Sequence, residues 1–393
     1  MVYCFFSAQY LPVQGGVERY TESLAHLLHT KGHAVLIVTS ERLDLPAHET
    51  DAQGVEIIRL PAWNILQGRL PLAKPDIMRR LRATLATRHI DRIVVQTRLY
   101  PLCLAGMRFA CEHKIPFLTI EHGSAYVGAA NSAVRLAEKI YENQLMKRAK
   151  KCCSHFYAVS DASAKWLAHF GVQSRGVLYN SVDAAAIASV LQEKNSDVRT
   201  ELSLPACAPI VIFAGRLVHE KGILQLRDAV CQIHAQTGLH LLIAGDGPLY
   251  QTLAQNPKDC VHLLGSVPRK KVLALLAQST MFCLPSDAEG FPTSVLEAIV
   301  CGCFVITAPY GGAKEIITGK EYGCVMPGNT KADIASALCA ALADAAYCKQ
   351  AVLHAKKRFE EAFTWEKTCQ KLEAAFFDIQ GENNETAGNY SGI

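Results

Sequence analysis

Arg216 and Lys221 lie five residues apart in the run Phe213-Ala214-Gly215-Arg216-Leu217-Val218-His219-Glu220-Lys221-Gly222. A guanidinium can fork two phosphate oxygens while an ammonium acts as a point charge, so together they can neutralise charge that develops on a phosphate leaving group. The plainer alternative is a solvated pair of loop charges. Further along, Ser286-Asp287-Ala288-Glu289-Gly290-Phe291-Pro292-Thr293-Ser294-Val295-Leu296-Glu297-Ala298 carries two carboxylates, Glu289 and Glu297, with seven residues between them. With Thr293 as a helix N-cap, Glu289 falls in the loop before the helix and Glu297 in its first turns, close to free main-chain N–H groups at Ser294 and Val295. Alone, such a pair reads as one loop acid and one surface helix acid. Beside the Gly-Phe-Pro turn and the Arg216/Lys221 loop, it has the groups to hold a sugar, a ribose and a diphosphate.

Glycine-rich turns recur at other strand ends. Gly15-Gly16 follows the first strand and opens the first helix, where unpaired N–H groups can face a phosphate, although a tight turn uses glycine for steric reasons alone. The pair lacks the third glycine of the dinucleotide fingerprint, which disfavours nicotinamide and flavin chemistry. Gly245-Asp246-Gly247-Pro248 is either ordinary turn chemistry or a ligand-adjacent loop, and Gly311-Gly312 repeats the strand, glycine-pair, helix arrangement. His122, in Thr119-Ile120-Glu121-His122-Gly123-Ser124, ends a strand at its carboxyl edge, where it can hydrogen-bond a sugar or an acceptor.

These loops need strands and helices to position them. Apolar runs predict strands at Val2–Ser7, Ala34–Thr39, Val55–Arg59, Arg92–Gln96, Pro116–Ile120 and His155–Val159, then at Ile210–Ala214, His240–Ala244, Val261–Leu264, Met281–Leu284 and Phe304–Thr307. Helical patterns alternate with them, as at Glu18 to Lys31 and Ala133 to Lys151, which is the pattern of βαβ units and parallel sheets. The expected organisation is an N-terminal domain over 1–179 and a C-terminal domain over 180–363. A final helix over 364–380 carries Trp365, Leu372, Ala375, Phe376 and Phe377 back across the domains, and 381–393 is expected as a disordered tail.

With 393 residues, half of them hydrophobic and 19% charged, the chain can bury two cores. A net charge of +4 excludes a strongly basic nucleic-acid binder. Basic residues do cluster locally, at Arg79, Arg80, Arg82 and Arg88 and at Lys147, Arg148, Lys150 and Lys151. The second cluster is either a solvated helix end or a contact for an anionic membrane surface. The 15 cysteines lack zinc-ligand or disulfide-scaffold spacing, which reads as a reducing cytoplasm. Met1–Phe6 reads as a strand and not as a leader, and no apolar run reaches the roughly 18 residues of a membrane span.

Taken together these motifs resemble the GT-B glycosyltransferases, specifically retaining family 4 (group 1 glycosyl transferases), over nearly the whole chain. The landmarks are Gly15-Gly16, Glu121-His122-Gly123, Asn180, Gly215-Arg216 with Lys221-Gly222, Gly245-Asp246-Gly247-Pro248, and Glu289 through Glu297. The resemblance implies an α/β fold of two Rossmann-like domains facing across a cleft. It implies a UDP- or GDP-sugar donor held by Arg216 and Lys221 on the diphosphate and by Glu297 on the ribose. Glu289, with main-chain groups of the Gly290-to-Val295 segment, and His122 would then meet the transferred sugar, and Gly16 would let the first loop close. The donor is a co-substrate; no cofactor or metal is expected, and no Asp-x-Asp motif stands out. The acceptor is expected to be a glycan or a lipid-linked hydroxyl at the inner membrane face, read through loops such as Ala62–Pro75 and Arg98–Pro101. Rival readings are a sugar-nucleotide epimerase of the same fold and a non-catalytic partner of another transferase.

Overall fold

Strands buried on both faces of a parallel sheet must be apolar throughout, and the runs named above meet that demand. The structure is a computed structural model that describes residues 1–13, 15–41, 43–65, 70–126, 132–193, 196–287 and 289–388. The chain divides into two units, Met1–Asn180 with Trp365–Ile393, and Ser181–Thr364.

Unit 1 contains β1 (Val2–Ser7), β2 (Ala34–Glu41), β3 (His48–Thr50), β4 (Glu56–Ile65), β5 (Leu70–Ala73), β6 (Arg92–Gln96), β7 (Phe117–Glu121) and β8 (Phe156–Ala158). Among the described residues they form a sheet in the order β3-β4-β2-β1-β6-β7-β8, with β5 paired to β4. Every pairing is parallel except β3 and β5 on β4. Phe6, Val38, Ile93, Val95 and Leu104 lie in its core. The first helix spans Gly16–Thr30, two residues earlier than expected at its start, with Gly15 as its N-cap.

The last helix, Trp365–Gly388, belongs to unit 1. Trp365 meets Tyr20 with ring centroids 5.3 Å apart and Phe376 meets Tyr3 at 5.8 Å, while Glu373 pairs with Lys31. Phe377, expected on the apolar face, is exposed, because consecutive helical residues point about 100° apart and Phe376 takes the inward position. The expected tail is corrected as well: residues 381–388 continue the helix. Glu382 there pairs with Arg175 and with His155 (3.3 Å), contacts that prolong the helix past Gly381. Residues 389–393 lie outside the described residues.

Unit 2 contains β9 (Ile210–Ala214), β10 (His240–Ala244), β11 (Val261–Gly265), β12 (Met281–Leu284), β13 (Phe304–Thr307) and β14 (Cys324–Val325), ordered β11-β10-β9-β12-β13-β14. All are parallel. Strand order reverses at β1 in unit 1, which pairs with β2 and β6, and at β9 in unit 2, which pairs with β10 and β12. Open α/β sheets leave a crevice at the carboxyl ends of such strands. No helix among the described residues is long and apolar enough to cross a membrane.

Candidate functional site

In unit 2 the reversal point gathers the charged residues. The loop after β9 carries Arg216 and, in a short helical turn His219–Lys221, Lys221; the loop after β12 carries Ser286 and Glu289. Lys221 Nζ pairs with Glu289 Oε1, which also accepts from Ser286 Oγ at 2.6 Å. Arg216 is exposed and makes no ion pair among the described residues. One cation is thus free to meet an anion, and the other is held in place by a carboxylate that a ligand can displace or share.

The loops that hold these groups are close-packed main chain against main chain. A Cβ on Gly245 would fall 1.9 Å from the carbonyl oxygen of Gly215, and one on Gly312 would fall 2.2 Å from that of Gly290. These glycines let the loop after β10 back onto the Arg216 loop, and the loop after β13 back onto Glu289-Gly290. Ala288 lies outside the described residues.

The helix Thr293–Cys301 follows. Its N-cap is Pro292 and not Thr293, and no side chain caps it, so Thr293 stands at the first helical position. A proline in extended geometry (φ −78°, ψ 104°) leads into a helix without needing an N–H of its own. Phe291, Pro292 and Val295 are buried, Phe291 against Phe363 (5.6 Å), and the Val295 N–H, expected to be free, donates to the Pro292 carbonyl at 3.1 Å because the chain turns into the helix there. Thr293 and Ser294 are half-buried at the helix start. Glu297 is buried and accepts from Arg269 Nε (3.0 Å) and Nη2 (2.9 Å). Arg269 has no motif around it and is found only through the fold.

In unit 1, His122 follows β7 at its carboxyl end. Its Nε2 lies 2.7 Å from Gln96 Oε1 at the end of β6, and its ring meets the Tyr20 ring edge-on at 4.9 Å. In the Nε2–H tautomer the imidazole donates to that oxygen and keeps Nδ1 as an acceptor. Burial pushes the imidazole down to about 3, so His122 is neutral at physiological pH. Its main-chain N–H and that of Gly123 donate to Glu121 Oε1 at 3.1 and 2.8 Å. Glu121 is held by Arg98, which also binds Glu142; all three are buried. Removing one member of such a buried set costs about 3–5 kcal/mol. Gly15, at the start of the first helix, packs against the Glu18 carboxylate, which a Cβ there would meet at 2.4 Å. Gly16 has open space around its α-carbon. Gln14, beside them, lies outside the described residues, as do 66–69 of the expected acceptor loop.

Two sequence profiles match the chain: "Glycosyltransferase Family 4" over residues 14–186 and "Glycosyl transferases group 1" over residues 195–358. The chain belongs to glycosyltransferase family 4. An uncharacterized glycosyltransferase of Methanocaldococcus jannaschii is 22% identical over 94% of this chain and 97% of its own length. The phosphatidylinositol N-acetylglucosaminyltransferase gpi3 subunit of Schizosaccharomyces pombe is 23% identical over 95% of this chain and 80% of its own. Among solved structures, a sucrose-phosphate synthase from Thermosynechococcus elongatus superposes with a TM-score of 0.77 at 20% identity, over 97% of this chain and 99% of that one. The Anabaena protein Alr3699/HepE, solved with UDP-glucose, superposes at 0.73 with 19% identity, over 96% and 100%. The fold of this family 4 glycosyltransferase is therefore GT-B, as its two Rossmann-like sheets already indicate.

Of the predicted site residues, unit 2 brings together Lys221, Glu289, Gly290 and the glycines behind them, with Arg216 on the same loop as Lys221. Glu297 is directed to Arg269. His122 stands in unit 1 among Gln96, Tyr20 and Glu121. The residues that sequence reasoning passes over, Gln96, Glu142 and Arg269, are supporting groups for those it finds; so is Arg98, expected in an acceptor-facing loop but fully buried on Glu121 and Glu142.

Proposed function

We propose that this glycosyltransferase is a retaining enzyme that moves a hexose-type sugar from a nucleoside-diphosphate-sugar to a hydroxyl of a glycan or lipid-linked acceptor. The observation that carries this reading is the gathering of Arg216, Lys221, Ser286 and Glu289 at the reversal point of the unit 2 sheet. Arg216 and Lys221 take the diphosphate, supplying positive charge where the leaving group becomes negative. No metal or other cofactor is required in this reading. Glu297 takes the ribose hydroxyls, Glu289 and the main chain of Gly290 to Ser294 take the sugar, and neutral His122 offers Nδ1 to one of its hydroxyls. The complex of the Anabaena neighbour with UDP-glucose supports UDP as the first nucleotide to try.

The reaction breaks the bond between the anomeric carbon and the phosphate oxygen and forms one from that carbon to the acceptor oxygen on the same face. The leaving phosphate oxygen accepts the acceptor's proton. Both carboxylates at the donor site are engaged, Glu289 by Lys221 and Ser286 and Glu297 by Arg269, which favours this route over attack by an enzyme carboxylate.

An acceptor at a membrane surface is supported by the helix Ser132–Cys152. Leu136 and Ile140 are exposed one turn apart, and Lys147 and Lys151 continue the same helical stripe toward its end. The other basic cluster is internally compensated: Arg79 and Arg80 pair with Asp76, Arg82 with Glu112 and Arg88 with Glu56. On this reading the enzyme works in the cytoplasm, peripherally at the membrane.

Thermal-shift and UDP-, GDP- or ADP-release measurements with the corresponding nucleotide sugars test the proposal. One nucleotide is expected to stabilise the parent and not the Arg216→Ala/Lys221→Ala double variant, and NMR of the transferred product should show the anomeric configuration of the donor. Inversion removes the retaining mechanism, and turnover of donor to an isomer without acceptor favours the epimerase. If no nucleotide stabilises the protein, the non-catalytic reading takes over.

A further inference from the structure

The ionic group behind His122 has no role in the reaction as just described. Arg98 Nη1 donates to Glu121 Oε2 at 2.5 Å and Nη2 to Glu142 Oε2 at 3.1 Å, with the guanidinium 4.5 Å from the centre of the Phe170 ring. The other oxygen of Glu121 gathers the N–H groups of His122 and Gly123. One carboxylate therefore sets the direction in which the chain leaves β7, and one buried guanidinium holds that carboxylate from behind. An apolar replacement of such a buried ionic set is often as stable or more so, so stability alone gives little reason for it to be there.

Thr97 adds an independent sign. It has φ +62°, a left-handed conformation that a β-branched residue adopts only where the surroundings impose it. In a continuing strand Gln96 and Arg98 would point to the same face, whereas consecutive residues Glu121 and His122 diverge. The turn at Thr97, fixed by its N–H on the Ile120 carbonyl (2.8 Å), lets Gln96 reach the His122 ring while Arg98 reaches Glu121.

We propose that Arg98, acting through Glu121, is a positioning residue for His122: it fixes the main chain at His122-Gly123 so that the imidazole is held ready for the transferred sugar. The proposal rests on the reading of His122 given above. Glu121→Gln keeps the shape but removes the charge; Arg98→Lys keeps the charge but loses the fork, and serves if Glu121→Gln does not fold.

The test is UDP release from UDP-glucose, with UDP-induced thermal shift and ¹⁵N-histidine NMR alongside. In Glu121→Gln, kcat should fall about 30-fold or more while KM stays within about threefold, as expected for misplacement of a group near the reacting centre. UDP-induced stabilisation should be unchanged, because Arg216 and Lys221 belong to unit 2. The His122 amide signal should move upfield as its charge-assisted bond is lost, a readout that stands without turnover. Glu142→Gln leaves the Glu121 contacts in place and should keep kcat within about threefold. A merely structural ionic group would instead lose activity in step with stability in both variants.

Parental kcat and an unmoved His122 amide in Glu121→Gln or Arg98→Lys overturn the proposal, as does an equal loss in Glu142→Gln. Parental kcat in His122→Ala overturns the reading of His122 itself. An impaired His122→Ala beside a parental Glu121→Gln overturns the positioning role alone.

Discussion

In unit 1, neutral His122 is fixed by Gln96 and by an amide-binding carboxylate whose own partners are buried. In unit 2, Arg216 is exposed, and Lys221 and Glu289 form an ion pair whose side chains keep 21% and 10% of their accessible surface. The difference separates two tasks. A group that must trade its partner for a ligand keeps some access to water, as Lys221 does, and such a partly accessible pair opens more readily than a fully buried one. A group that must hold a direction is buried, where breaking its contacts is expensive.

The contrast is broken most severely at the cations of unit 2. Replacing Arg216 and Lys221 together by alanine should lower kcat/KM about 10³-fold, measured as nucleotide release, because the developing charge on the leaving group loses its stabilisation. Raising the salt concentration should weaken donor binding in the parent and leave the fold of unit 1 untouched. Next in size is Gly245→Ala, which places a methyl group 1.9 Å from the Gly215 carbonyl at φ +152°. A loss of about 3 kcal/mol in urea unfolding is expected, from collision and backbone strain together.

Acid sharpens the comparison. The unfolded His122 titrates near its ordinary 6.5, whereas burial holds it at about 3 in the fold. Its contribution is complete above pH 6.5 and is lost as pH falls from there toward 3, because the unfolded chain takes up a proton that the folded one refuses. His240 and His262 of unit 2, 3.2 Å apart, are lowered in the same direction, by burial first and then by a neighbouring histidine. The urea midpoint of the parent should therefore fall between pH 6.5 and 5. His122→Gln should flatten part of that slope and His240→Gln another part; an unchanged slope in His122→Gln would show that its imidazole is not desolvated. The smallest effect is expected at Thr97→Gly, where relief of the left-handed strain is offset by loss of the bond from the Leu99 N–H to Thr97 Oγ1 (3.0 Å), so stability should change by less than about 1 kcal/mol in the same assay.

Much of the fold can be read before folding, for a physical reason. Ile210–Ala214, His240–Ala244, Met281–Leu284 and Phe304–Thr307 are strands residue for residue, because burial on both faces leaves an unbroken apolar run. β3, β5 and β14 escape, being two to four residues long at the sheet margins, too short to show a period. The site divides in the same way. Arg216, Lys221 and Glu289 announce themselves because each stands in a local Gly-rich frame. Arg98, Glu142 and Arg269 gain their meaning from partners 23 to 44 residues away, and no local pattern marks them. The glycines illustrate a half-legible case. Gly245 and Gly311-Gly312 stand at strand ends as expected, yet what they demonstrably permit is one loop lying against another.

The return of the helix Trp365–Gly388 to unit 1 also sets an order of events during synthesis. Unit 2 is one uninterrupted stretch, Ser181–Thr364, and can close as soon as that stretch has emerged from the ribosome. Unit 1 begins first and closes after unit 2, since Tyr3, Tyr20 and Lys31 wait for Phe376, Trp365 and Glu373, which follow unit 2 in the sequence. Vectorial synthesis usually completes N-terminal domains first. Here the N-terminal sheet keeps an uncovered aromatic flank until Trp365–Gly388 has been made, so unit 2 can close while unit 1 is still open.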